Sequence, residues 1–169
     1  MSVRLGKINE QRLEKLNEIR KLGIDPYPPR FKRTQTTQQA IDLLTEQEKA
    51  GKTDPIVVTV AGRIMANRGM GKISFVDLRD GAGKIQLLVG QSETRLNADA
   101  MALFKLLDIG DFIGVTGKVF RTRSNEPTIE VTGITLLTKA LQPLPEKWHG
   151  LTDTDIRYRQ RYLDLISNE

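Results

Sequence analysis

Along residues 5–22, Leu5, Ile8, Leu13, Leu16, Ile19 and Leu22 recur at helical spacing among Lys, Arg and Glu, which predicts an amphipathic helix with a narrow apolar stripe. Arg20 and Lys21 suit the negative end of its dipole, and Gly23 followed by Pro26 ends it. Residues 25–33 (DPYPPRFKR) hold three prolines, which fix φ and remove backbone donors, so an extended connector is expected there. A second helix is expected to start at Thr36 or Thr37, with Gln39 placed for a capping box, and to end near Gly51.

From Ile56 the apolar period drops to two. Val58, Val60, Ile64 and Ala66 alternate with Val57, Thr59, Arg63 and Asn67, predicting a long first strand. Residues 73–79 and 84–89 read as the second and third strands. Residues 97–107 read as a helix with Ala98, Met101, Ala102 and Leu106 available to pack. Residues 112–122 and 128–137 form strands four and five, and the apolar phase slips around Gly133, as at a bulge or bend. Residues 60–64 and 115–119 share a Val-x-Gly-basic-aliphatic pattern, expected at similar bends of strands one and four. Three strands, a helix and two strands are the order of an OB-fold, a five-stranded Greek-key barrel that binds oligonucleotides or oligosaccharides across strands two and three. The expected fold is therefore β with flanking α: this barrel in residues 55–142, preceded by two N-terminal helices and the Pro-rich connector in residues 1–54, and followed by a linker from residue 143.

The second and third strands are joined through Asp80-Gly81, a pair favoured in two-residue hairpin turns. With that turn Arg79 pairs with Ala82, Val76 faces Ile85, Ser74 faces Leu87 and Phe75 faces Gln86. This register gathers Val76, Leu78, Ile85, Leu87 and Val89 on one side, which is then the core side. Phe75 falls on the other side with Asp77, Arg79, Lys84 and Gln86. There an aromatic ring is placed to stack on a base, a contact worth about 1–3 kcal/mol. Gln86 offers both a donor and an acceptor to a base edge, and Arg68 at the end of the first strand brings charge to the same patch. Ile73 and Leu88 share this face, so packing of Phe75 under the N-terminal helix stands as the competing arrangement. Glu126, in the polar loop of residues 121–127, is either an acceptor reading a base edge or an ordinary loop carboxylate. Lys7, Arg12, Lys15 and Arg20 alternate with Glu10, Glu14 and Glu18 on the first helix, which reads as a solvated face.

Composition narrows the chemistry. A net charge of +5 and a pI near 9.6 fit a polyanionic partner, since Lys and Arg on phosphates release condensed counterions. With no cysteine and one histidine, His149, the chain has no means for disulfides or a thiolate metal site and poor means for a His-based triad. No apolar run approaches a membrane span and the N-terminus lacks a signal peptide's apolar segment, so a cytoplasmic protein with no membrane partner is expected. Residues 69–72 form a tight connection rather than a phosphate loop opening a helix, and Asp77, Asp80, Asp108 and Asp111 fall at expected strand ends and turns without metal spacing. No catalytic, cofactor-binding or metal residues are expected.

Residues 70–78 (MGKISFVDL), 136–145 (LLTKALQPLP), 148–151 (WHGL) and 157–166 (RYRQRYLDLI) resemble class II lysyl-tRNA synthetases, and the likeness covers nearly the whole chain. The tail is its most specific part. Aspartyl and asparaginyl relatives share the barrel, but the phrases LLTKALQPLP and RYRQRYLDLI are characteristic of the lysyl branch. The resemblance implies the N-terminal, anticodon-binding part of such an enzyme, with the barrel gripping the anticodon loop of the tRNA for lysine, whose central base is uridine. Phe75 matches the family's stacking residue, Gln86 and Arg68 match its hydrogen-bonding residues, and Glu126 matches the acidic residue associated with the first anticodon base. The resemblance also implies a homodimeric parent whose catalytic domain activates lysine with ATP and magnesium and transfers it to the tRNA. Residues 143–169 are then a linker and the start of that domain, with a helix from about Thr152, capped with the help of Asp155, running past the chain's end. The chain by itself is expected to bind without catalysing and to hold no cofactor. Two other readings stand beside this one. A non-specific single-strand-binding OB protein calls for several groove aromatics, whereas aromatics are 5% here. A dimerisation module would use Ile73 and Leu88.

Overall fold

The computed structural model describes residues 2–90, 96–144 and 153–167. Helices α1 (Ser2–Lys21) and α2 (Thr37–Lys49) precede strands β1 (Ile56–Met70), β2 (Ile73–Arg79) and β3 (Lys84–Gly90). Helix α3 (Ala98–Leu106), strands β4 (Phe112–Arg121) and β5 (Pro127–Thr138), and helices α4 (Thr154–Arg159) and α5 (Arg161–Ser167) follow. The strands close into a barrel in the order β1-β2-β3-β5-β4. All pairings are antiparallel except β3 with β5, which is parallel. This is the five-stranded barrel with flanking helices that the strand order calls for.

Alternation builds the core. Val58, Val60, Ile64, Val76, Leu78, Ile85, Leu87, Val89, Ile113, Val115, Ile129 and Val131 point inward and are almost fully buried. A bulge at Met65 interrupts β1: Ile64 pairs with Leu78 and Ala66 with Asp77, so both Ile64 and Met65 are buried and Ala66 moves to the outer face. The expected alternation through Ala66 is corrected by that extra residue. The slip near Gly133 is also a bulge, since Thr116 pairs with Gly133 but Gly117 with Val131. Gly62 and Gly117, the glycines of the shared Val-x-Gly pattern, are where a neighbouring backbone closes in. A Cβ there would run into the carbonyl of Arg79 or of Glu130.

Helix α2 begins with the expected capping box between Thr36 and Gln39, and ends before Gly51 at φ 65°. It packs against β1, β3 and β4 and buries Ala40 and Leu44 in the core. Its first residue ties it to the hairpin, because Thr37 donates its N–H (2.9 Å) and its hydroxyl (2.7 Å) to the Asp80 carboxylate. In α3, Leu103 and Phe104 are the buried side chains, joined by Leu96 and Leu107. Of the expected set, Met101 and Leu106 are half-buried and pack against the core, Ala102 is half-buried and Ala98 is exposed. Turning the larger Leu103 and Phe104 inward removes more apolar surface from water.

Helix α1 packs against α3. Its cations are not a solvated face throughout. Arg12 is buried and donates to the carbonyls of Ile109 (2.9 Å), Ala140 (2.9 Å) and Gln142 (3.1 Å), while Lys15 pairs with Asp108 at 2.5 Å. Lys139 is fully buried between Asp108 (2.6 Å) and Asp111 (2.8 Å). The connector runs outside β1 and β4, with the Thr34 N–H donating to the Thr59 carbonyl (2.8 Å) and the Phe31 ring lying against Gly114. In the tail Asp153 caps α4 through the N–H groups of Asp155 and Ile156. The segment breaks at Gln160 before α5, so it is two short helices, and Thr152 lies outside the described residues.

Candidate nucleic-acid interface

Strands β2 and β3 are joined by residues 80–83, with the Asp80 N–H donating to the Gly83 carbonyl at 3.0 Å. Arg79 therefore pairs with Lys84, Asp77 with Gln86, and Phe75 with Leu88. The expected Asp80-Gly81 turn, with Phe75 directly opposite Gln86, is overturned. The cause is the Asp80 carboxylate, which accepts from the Ala82 N–H (2.8 Å) and the Gly83 N–H (3.1 Å) while also holding the start of α2. These bonds organise a longer turn than the dipeptide suggests. They also hold the Asp80 carboxyl below its usual range, outweighing the burial that raises it. The register moves by two residues, and since side chains alternate with period two every residue keeps its face. Phe75 and Gln86 remain on the outer side as diagonal neighbours.

Two rows cross that outer face. One runs Arg68, Phe75, Leu88 and Glu130, each paired with the next across β1, β2, β3 and β5. The adjacent row runs Ala66, Asp77, Gln86 and Thr128. Phe75 is half-buried and pairs with the exposed Arg68 on β1 and with Leu88 on β3. Gln86 is half-buried. The hydroxyl of fully buried Thr128 lies 3.1 Å from both Gln86 Oε1 and the Glu126 carbonyl, two acceptors for one hydrogen. Glu126 itself is exposed in the β4–β5 loop, which is closed by Thr122 N–H to the Glu126 carbonyl (3.1 Å) and turned by Asn125 at φ 65°. Parallel pairing of β3 with β5 thus brings the loop's end beside Gln86.

The four candidate residues therefore lie near one another: Arg68 and Phe75 in one row, Gln86 in the next, and the Glu126 backbone carbonyl reached from Gln86 through the Thr128 hydroxyl. Two residues that the sequence reading passed over belong to the same surface. Asp77 sits in the middle of β2 rather than at a strand end, nearly buried, and accepts from Arg68 Nη2 (2.7 Å) and Nη1 (3.3 Å). Its place beside Phe75 and Arg79 in the strand parity was the available signal. Thr128 gave none, because its link to Gln86 depends on a pairing between distant strands. Among the described residues no cluster of three or more metal-type side chains occurs, and no helix is long and apolar enough to cross a membrane.

Residues 58–137 match the tRNA anticodon family, described as an OB-fold nucleic acid binding domain. The chain is 53% identical over 161 residues to a lysine–tRNA ligase of Dehalococcoides mccartyi, covering 95% of this chain and 32% of that protein. It is 51% identical over 164 residues to the lysine–tRNA ligase of Carboxydothermus hydrogenoformans, and 48% over 168 residues to that of Bacillus subtilis, covering 97% and 96% of this chain. The chain belongs to the lysyl-tRNA ligase family. It spans about a third of the length of the lysine–tRNA ligases it matches, in their N-terminal region. The family match begins at Val58 and ends at Leu137, inside β1 and β5, so it coincides with the barrel that carries both rows of the outer face.

Proposed function

We propose that the outer face of β1, β2 and β3, with the β4–β5 loop, grips the anticodon loop of the tRNA for lysine. The observation that carries this reading is the juxtaposition of one aromatic ring, Phe75, with Arg68 across one strand pair and Gln86 diagonally across the other. The central uridine stacks on Phe75, and Gln86 and Arg68 bond its polar edge. Glu126, exposed at the loop's end, accepts from the first anticodon base. The names of the relatives supply the lysine tRNA, and the net charge of +5 supplies attraction for its backbone. In the full-length protein this reading extends to a cytoplasmic homodimeric enzyme that activates lysine with ATP and magnesium and transfers it to the bound tRNA.

The test is the affinity of this chain for a lysine anticodon stem-loop, with Phe75→Ala beside the unaltered chain. Loss of a base–aromatic stack removes about 1–3 kcal/mol of binding, roughly 5- to 150-fold in Kd. Unchanged affinity removes the stacking role.

A further inference from the structure

Asp77 is an unexpected carboxylate on a face proposed to meet a nucleic acid. It lies mid-strand on the outer face, its side chain 12% exposed, in the row next to Phe75 and directly across from Gln86. A carboxylate there repels a nucleic-acid backbone, and its desolvation is unfavourable unless paired. Its partners answer the second point. Arg68 meets it end-on with both terminal nitrogens, at 2.7 and 3.3 Å, and Lys84 Nζ stands 4.0 Å from Oδ2, the oxygen that takes the longer of the two Arg68 bonds. The Arg68 side chain remains 53% exposed. A half-exposed arginine on a strand end samples many rotamers, and fixing it before a ligand arrives reduces the entropy lost on binding.

We infer that Asp77 is a positioning and specificity-determining residue of the anticodon face. It fixes the guanidinium of Arg68 at its own carboxylate, in the row next to Phe75, and leaves the remaining N–H groups for a base edge. Its charge also occupies Arg68 and Lys84, so that they do not serve as free cations for any phosphate that approaches. The net effect is to exchange non-specific affinity for discrimination of the base on Phe75. This inference rests on the proposed anticodon reading and assigns a residue which that reading leaves unused.

The experiment measures Kd for the lysine anticodon stem-loop and for the same loop with its central uridine replaced, over a salt series, with the unaltered chain, Asp77→Asn, Arg68→Ala and the double variant. For Asp77→Asn the ratio of the two Kd values falls about tenfold, the worth of an oriented charged hydrogen bond. The replaced loop binds more tightly than it does to the unaltered chain, and its salt dependence steepens by about one phosphate contact. Adding Asp77→Asn to Arg68→Ala changes the ratio no further, because the two act as one unit. A purely structural role lowers the melting temperature and leaves the ratio where it was, and that result overturns the inference. So does an additive double variant. Absence of discrimination in the unaltered chain is a different failure, since it removes the anticodon reading itself.

Discussion

Lys139 and Asp111 form an ion pair at 2.8 Å with neither side chain exposed to solvent. Asp111 also accepts from the N–H groups of Asp108 (2.7 Å) and Ala140 (2.8 Å), so its carboxylate is nearly saturated by the pair and the backbone around it. Asp108 extends the cluster from Lys139 to Lys15 on α1. The segment just after β5, the α3–β4 turn and the N-terminal helix thus meet on two carboxylates and two ammonium groups.

Removing Lys139 leaves the buried Asp111 carboxylate without its cation. Lys139→Ala is expected to destabilise the protein by about 3–5 kcal/mol. Lys15→Ala, whose side chain is one-third exposed, should cost about 0–1 kcal/mol. Urea denaturation of both variants separates the values, and equal losses contradict the structure's ranking.

The same cluster shapes acid stability. Burial raises the Asp108 carboxyl, but the hydrogen bonds and charges of Lys139 and Lys15 outweigh it and hold the group below the ordinary carboxylate value. A carboxylate with a depressed folded pKa contributes stability that is whole above its unfolded pKa, about 3.9. The contribution is lost as pH falls through the lower folded value. Asp108→Asn is therefore expected to flatten the decline of Tm below about pH 4 while lowering Tm at neutral pH. Thermal melts across that range check it, and an unchanged acid limb counts against the ion cluster.

Gly117 and Gly114 lie three residues apart on β4 but face different obstacles. A methyl group on Gly117 meets the Glu130 backbone, which belongs to the barrel, whereas one on Gly114 meets the Phe31 ring, which belongs to the connector. Gly117→Ala should cost about 1–3 kcal/mol by overpacking. Gly114→Ala should cost less and be relieved by Phe31→Ala in the double variant. Denaturant midpoints decide, and a larger loss at Gly114 contradicts the assignment.

The strands were legible because their signals are local. Period-two alternation located β2 from Ile73 to Arg79, and the Thr36–Gln39 pair located the start of α2. The outer placement of Phe75 survived a wrong hairpin turn because the error was an even number of residues. The turn was misread because the Asp80 carboxylate closes a longer loop on the Ala82 and Gly83 N–H groups and is itself held by Thr37, far away in sequence. Arg12 and Lys15 looked like a solvated face for the same reason, their partners being residues 108–109, 140 and 142. Thr128 entered the site through the parallel β3–β5 pairing, and Asp77 through the side-chain direction of Arg68. What stayed hidden was long-range polar partnership, which leaves no periodic trace.

Glu126 and Gln86 are linked only through Thr128, so their roles should separate. Glu126→Gln is expected to change preference at the first anticodon base while leaving preference at the central base within about twofold, since it removes an exposed charge without touching the two rows. Binding to loops varied at each position measures both. An altered preference at the central base alone contradicts the division.

The most direct measurement is binding of this chain, at fixed salt, to a lysine anticodon stem-loop and to a loop differing only in its central uridine. The anticodon reading predicts a clear preference for the uridine loop, at least about tenfold, set by the edge contacts of Gln86 and Arg68. Equal affinities that fall together as salt rises would mean phosphate attraction alone, and would contradict a base-reading face on this barrel.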